Sequence, residues 1–287
     1  VTIRLDTIRV IDTHTHLYDP TRPQGIPWPN KENELLYRPV LPRHFKEVAT
    51  PSGVTHTVVV EASVWVEDND WILELAKDEL AIVGFVGNLD PEKDDYLSTL
   101  DRLSKNPLFR GVRLRRKELE RVDDPDTLSA IGALCDRDLE MDLLANPQDL
   151  AAVAIVAKAI PDLRIVCNHV AHVLIDGNDP DPEWIAGLDA IAPHENIYMK
   201  VSGFVERAKE QPAPTDPAYY KPTFDALWNT LGEDRLIYGS NWPVCERAAS
   251  YETVFNIADS YFGEKGVGAK EKYFVENGRR AYKWISR

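Results

Sequence analysis

Cysteine is scarce in this chain. Its three residues, Cys135, Cys167 and Cys245, are an odd number with no close pair. That excludes a disulfide framework and any cysteine-based zinc module. No apolar run approaches the ~20 residues of a membrane span. A glycine-rich dinucleotide fingerprint is missing, as are internal repeats, Gly/Ser linkers and low-complexity tracts. Basic residues are outnumbered 33 to 47, for a net charge of −14. Nucleic acid and anionic membrane surfaces are therefore not expected as partners, which leaves a small-molecule substrate. The chain starts at Val1 rather than Met. A cytoplasmic location is expected, with an exported form that has lost a leader as the alternative.

Hydrophobic residues make up 44% of the chain, enough for a large core, so disorder is excluded. A length of 287 residues suggests two domains at roughly 150 residues each, but α/β barrels run to about 250 as one. Eight short β-rich runs decide for the barrel. They are Val10–His16, Thr57–Ala62, Ala81–Val86, Gly111–Arg115, Met141–Ala145, Arg164–His169, Ile197–Ser202 and Leu236–Asn241. Helical patterns lie between them. Trp71–Lys77 carries an apolar stripe, Asp124-Pro125 opens the run to Arg137, and Asn146-Pro147 opens Leu150–Ile160. Strand then helix, eight times over, is the pattern of one (β/α)8 TIM barrel spanning residues 1–287.

Two stretches break the rhythm. Asp19–Pro42 holds six prolines and Ala208–Pro222 holds four. They follow the first and seventh strands, so both are expected over the C-terminal mouth, where barrel loops shape the substrate pocket.

The chemistry is expected at strand ends. In Asp12-Thr13-His14-Thr15-His16, alternation puts both histidines on one face with Asp12 beneath them. Two such imidazoles suit metal binding or polarisation of a carbonyl. Alternation through Ile165 and Cys167 aims His169 into the same mouth, and His172 lies one loop step beyond, as a site residue or a surface one. Asn241 ends the eighth strand in Tyr238-Gly239-Ser240-Asn241-Trp242-Pro243, on one face with Gly239. Glu61 ends the second strand, either as a catalytic carboxylate or as the ion-pair partner of an arginine. Arg113 and Arg115 share a face of the fourth strand, Arg116 faces away, and Lys200 lies within the seventh. Burying such cations demands partners, so carboxylate recognition and internal pairing both stand. The net charge does not argue against an acidic substrate, because it belongs to the outer helices and these cations lie on strands. Trp28, Trp65 and Trp242 fall near the mouth, as pocket walls or as packing.

Asp12 with His14 and His16, His169, and Gly239-Ser240-Asn241-Trp242-Pro243 together resemble the amidohydrolase superfamily. The branch is that of sugar lactonases and 2-pyrone-4,6-dicarboxylate hydrolases. Gly111-Val112-Arg113 and Lys200-Val201-Ser202-Gly203 fit it too, so the resemblance runs from the first strand to the eighth. It implies that His14, His16 and His169 ligate a metal or bond the scissile carbonyl. Arg113 stands where many members place a metal-bridging lysine or glutamate. A guanidinium has no lone pair to give, which favours one metal (zinc or manganese) or none, and turns Arg113 towards a carboxylate or ester oxygen.

One departure matters. Where the superfamily carries an aspartate that ligates metal and serves as general base, this chain has Asn241. An amide is no base at neutral pH, though it can orient water or donate to an oxyanion. Another base, a binding-only protein, a different reaction or an introduced, complex-trapping substitution would each account for it. Glu61 ranks first as replacement base, with His169 and His172 behind it.

The leading expectation is a hydrolase opening a lactone or related cyclic ester of a small, oxygen-rich, carboxylated compound, in carbohydrate or aromatic-acid catabolism. A mononuclear metal-dependent amidohydrolase or decarboxylase, and a degenerate carboxylate-binding barrel, are the alternatives. The oligomeric state is not legible.

Overall fold

The computed structural model describes residues 10–286. Eight parallel strands lie in sequence order in one sheet: β1 Val10–Thr15, β2 Val54–Val60, β3 Ile82–Gly87, β4 Phe109–Leu114, β5 Glu140–Leu143, β6 Ile165–Cys167, β7 Ile197–Val201 and β8 Leu236–Tyr238. Helices fill the connections, including Glu67–Lys77, Pro125–Cys135 and Leu150–Ala159. Asp124 caps the second of these through the N–H of Asp126, as its sequence foretold. This is a (β/α)8 barrel.

Parity along the strands sorts side chains into two cores. Ile11, Val58, Val60, Val83, Val166 and Ile237 cluster inside the barrel with Tyr282 from the helix Asn277–Tyr282. Val10, Val59, Phe109, Met141, Ile165, Cys167, Met199 and Tyr238 join the helix-facing core. Glu140, Asp142 and Lys200, all unexposed, take inward parity and put charge in the middle of the barrel.

The sheet closes at its mouth end. Asn241 N–H donates to the His14 carbonyl and His16 N–H donates to the Trp242 carbonyl, each at 2.9 Å. Thr13 Oγ1 adds a bond to the Tyr238 carbonyl. Asp12 reinforces this seam from outside: Oδ1 accepts the N–H groups of His14 and Ser240, and Oδ2 accepts the hydroxyl of Tyr251 on the helix Tyr251–Glu264.

The two long insertions behave differently. Residues 19–42 are clamped at the base by paired backbone bonds between Tyr18 and Val40 and bring Trp28 over the mouth. Residues 208–222 pack instead on the loop after β6, where Tyr219 donates to the Ile175 carbonyl. The expectation that both insertions shape the pocket therefore fails for the second.

Candidate active site

The two β1 histidines share the mouth for a reason that alternation misses. Asp12 pairs with Thr57 and Thr15 with Val59, three steps on β1 against two on β2. This irregularity resets the parity. Ile11 and Thr13 face inward before it, His14 and His16 after it. Asp12 therefore faces the helix layer and Tyr251, not the space beneath the histidines, which corrects the alternation reading.

His14 rests on Lys200. The Lys200 ammonium lies 3.0 Å from His14 Nδ1 and 3.1 Å from Asp142 Oδ2. Asp142 also accepts the Tyr282 hydroxyl at 2.8 Å and the amide of Asn168. Lys200 is thus spent on internal groups and has no exposure. The expectation that it binds substrate is replaced by a supporting position. Beside it, Glu140 is buried with both oxygens unpartnered, in the space left by the missing side chain of Gly111. Burial and the Asp142 charge push its carboxyl well above the usual range.

With Lys200 as an ammonium, which burial opposes and Asp142 favours, His14 Nδ1 accepts and the ring proton sits on Nε2. Nε2 is buried without a partner. Burial, followed by the Lys200 charge, holds this imidazole well below its ordinary pKa. Burial and then Arg113 lower His16 to about 4. Its Nδ1 lies 3.0 Å from the Val60 carbonyl and its Nε2 3.3 Å from the side-chain oxygen of Asn241.

His169 arrives by a route that sequence parity misstates. Ile165 and Cys167 face the helices, and β6 ends at Cys167. The chain then makes a left-handed turn, with φ of 54°, 48°, 50° and 53° at His169, Val170, Ala171 and His172. L-residues resist this region by roughly 1–2 kcal/mol each. Burial of Val170 and Ala171 and a bond from Trp184 Nε1 to the Val170 carbonyl hold the turn. Gly203 lies against it: a Cβ there would stand 2.8 Å from the His169 ring. His169 Nδ1 bonds Ser202 Oγ at 2.9 Å, and its ring centroid lies 4.4 Å from that of His14. Burial, with His172 and Arg113 nearby, pushes His169 well below its ordinary pKa. His172, 5.6 Å away ring to ring, is lowered to about 4 by burial and then by Arg207.

These groups meet under a cavity of about 660 Å³. Its lining includes His16, His169, His172, Asn241, Glu61, Arg113 and Arg115. Arg113 Nη1 lies 3.7 Å from Glu61 Oε1, while Glu61 Oε2 accepts the Ser63 N–H at 2.9 Å. Burial raises the Glu61 carboxyl more than Arg113 and Arg115 lower it. Arg115 reaches the amide of Asn88 at 3.0 Å.

One tryptophan expected at the mouth is elsewhere. Trp242 is fully buried against Phe45, with its indole N–H on Glu246. Trp65 lines a small pocket under the first insertion that adjoins the mouth cavity, the two sharing Trp28 and Glu61. Trp28 takes the wall position, 6.1 Å ring to ring from His16. Arg116 also lines the cavity, against its expected outward direction, because the chain turns into the short helix Arg116–Leu119 and Asp149 holds the guanidinium at 3.1 Å. Glu206 is the group that strand reasoning did not single out as a site residue. Its Oε1 lies 2.6 Å from Asn241 Nδ2 and its Oε2 is buried and unpartnered. In sequence it reads as an ordinary polar residue beyond β7.

The donor set does not fit a resident divalent cation. The Nε2 lone pair of His14 is taken by a proton, and that of His16 faces the amide of Asn241. The Lys200 ammonium touches His14, and among the described residues no carboxylate bonds the three imidazoles. Among the described residues no group of three or more His, Cys, Asp or Glu has metal-holding geometry.

An amidohydrolase family profile matches residues 11–284. An L-fucono-1,5-lactonase of Burkholderia ambifaria is 31% identical over 84% of this chain and 82% of its own length. A Burkholderia multivorans amidohydrolase, crystallised with HEPES and separately with zinc, superposes with TM-scores of 0.85 and 0.82 at 23% identity, covering 96% of this chain and 99% of its own. A probable 2-pyrone-4,6-dicarboxylic acid hydrolase of Acinetobacter baumannii, with citric acid bound, gives 0.78 at 18% identity, over 96% and 99% of the two chains.

Proposed function

The chain belongs to the amidohydrolase family, and from that premise we propose that this hydrolase opens a hydroxyl-rich, uncharged sugar lactone. The observation that carries the reading is the Arg113–Glu61 contact at 3.7 Å on the cavity wall. A guanidinium already facing a carboxylate is a poor clamp for a second one. Together the two groups offer donors and acceptors that match vicinal hydroxyls and an ester carbonyl. The L-fucono-1,5-lactonase name of the relative from Burkholderia ambifaria points the same way.

In this mechanism the lactone carbonyl lies against Arg113, His169 and Asn241, whose N–H groups stabilise the oxyanion as it forms. Glu61 accepts a proton from water as the water oxygen bonds the carbonyl carbon. The tetrahedral intermediate collapses with cleavage of the ring C–O bond, and the proton on Glu61 passes to the departing ring oxygen. The product is a hydroxy acid. No step runs through a metal.

The test is a panel of sugar lactones beside pyrone dicarboxylates, followed by acid release. Turnover of sugar lactones is expected. Turnover confined to dicarboxylated esters, or no acid release from any cyclic ester, overturns the reading.

A further inference from the structure

The first insertion is pinned to the barrel by one arginine. Arg22 Nη1 bonds Asp68 Oδ1 at 2.8 Å on the helix Glu67–Lys77, and its guanidinium carbon lies 4.3 Å from the centre of the Trp71 ring on the same helix. Nη2 turns back to the Gly25 carbonyl at 3.2 Å, and the Gly25 N–H donates to the Arg22 carbonyl at 2.8 Å. Arg22 thus ties the turn 22–25 to itself and to the helix at once. The helix is a fixed post: Asn69 bonds both backbone groups of Asn88, just past β3, at 2.8 and 2.9 Å.

The two charged side chains are nearly sealed, at 8% and 11% exposure, and Arg22 Nε is buried without a partner. A buried ion pair stabilises little more than an apolar pair of the same size. What it adds is direction, because the planar fork of a guanidinium accepts its partners in one register.

Trp28 stands three residues beyond this turn. Three residues reach at most about 10–11 Å, so anchoring Gly25 bounds where Trp28 can lie. The other leg of the insertion is held where the Tyr18 hydroxyl donates to the Leu36 carbonyl at 2.9 Å, and the Tyr18 ring meets Trp28 edge-on at 5.6 Å. Beneath, the space left against Trp65, Trp71 and Phe85 is about 10 Å³, room for one water. The indole therefore has little room to sink. Above, Trp28 is the one of the seven tryptophans left exposed, at 37%, and it walls the mouth cavity. Such a surface suits the C–H face of a sugar ring.

We propose that Arg22 and Asp68 are positioning residues, which hold Trp28 as the wall against which the apolar face of the lactone ring packs. Neither of them lines the mouth cavity, so both act through the indole. The pair serves substrate binding rather than the stability of the barrel.

The inference rests on the lactone reading for its kinetic arm. The pair variant, Arg22→Met with Asp68→Asn, leaves no charge buried without its partner. Its KM for a sugar lactone should rise about tenfold with kcat within about twofold, as when binding common to substrate and transition state is lost. Trp28→Ala should do the same. The triple variant should be no worse than Trp28→Ala alone, because the pair then has nothing left to position. An unchanged KM in the pair variant, with or without a fall in kcat, overturns the proposal, since a loss of folded protein alone would lower only kcat. KM effects that multiply in the triple variant overturn it as well. A second readout needs no substrate. The indole ¹H–¹⁵N signal of Trp28, identified by its loss in Trp28→Phe, should shift or broaden in the pair variant. An unmoved signal overturns the proposal even if no lactone is turned over. A moved signal without turnover sinks the lactone reading and leaves the positioning standing.

Discussion

The ammonium of Lys200 stands between His14 and Asp142, 3.0 Å from the imidazole and 3.1 Å from the carboxylate, with no exposure at either charged group. Burying two charges is worthwhile only when each is fully bonded, and here the remaining valences of Asp142 go to Tyr282 and Asn168. The pair fixes the His14 tautomer from beneath. Lys200→Met would leave a buried carboxylate without its cation. The expected loss is about 3–5 kcal/mol of unfolding free energy. The double variant Lys200→Met with Asp142→Asn should lose clearly less. Chemical denaturation of the four proteins checks this; equal losses in single and double variants would show that the ion pair is not the cause.

Glu61 is the proposed proton acceptor. Its amide, Glu61→Gln, keeps the size and the contact with the Ser63 N–H but holds no proton-accepting pair at neutral pH. We expect kcat to fall by about 10²–10⁴, the usual contribution of a general base, with KM little changed. A variant that turned over sugar lactones at the wild-type rate would remove Glu61 from the mechanism.

Gly203 makes room for the His169 ring and itself has φ of +62°. Gly203→Ala meets both a clash and a strained backbone, so a loss of about 1–3 kcal/mol is expected. His169 must also shift, so activity should fall further than stability alone explains. Thermal unfolding and kinetics on the same preparation separate the two effects.

Acid pH should act on the histidines in a defined direction. His172 is lowered to about 4 in the folded protein, against an ordinary value of 6.5. Between those values the unfolded chain binds the extra proton, so this group's contribution is fully present above pH 6.5 and is lost as pH falls towards 4. Relative to His172→Gln, the wild type should lose roughly 2–3 kcal/mol across that window. Imidazole NMR should find His16 and His172 titrating near 4. A midpoint near 6.5 for either would contradict the burial argument.

Metal removal gives a direct check on the donor set. Exhaustive chelation should leave kcat within about twofold of its starting value, less than the 1.4 kcal/mol that a tenfold change represents. Loss of activity that zinc or manganese restores would show that the histidines release their present partners to a cation.

What the sequence disclosed, and what it hid, follows from local physics. The β2 run Thr57-Val58-Val59-Val60 is buried on both faces and reads as continuous apolar sequence, so its strand was legible. The cluster at the mouth was legible because His16, His169 and Asn241 each sit just past a strand. Their directions were not. Parity fails at the β1 irregularity, which no glycine or proline announces between Asp12 and Thr15. It fails again at His169–Val170–Ala171–His172, where left-handed backbone is held by tertiary burial rather than by residues that favour it. Trp242 looked like a wall because it follows Asn241, but the turn there sends its indole outward to Glu246. Glu206 was hidden because its partner Asn241 lies beyond the end of the neighbouring strand, 35 positions along the chain.

The bonds that close the sheet, Asn241 to His14 and His16 to Trp242, join residues from opposite ends of the chain, and Asn241 is one of the groups proposed to face the oxyanion. Turnover therefore doubles as a folding clock. No nascent or partly refolded chain gains activity until its first and last strands have met, so the lag in recovered turnover after dilution from denaturant times the final closure of the barrel.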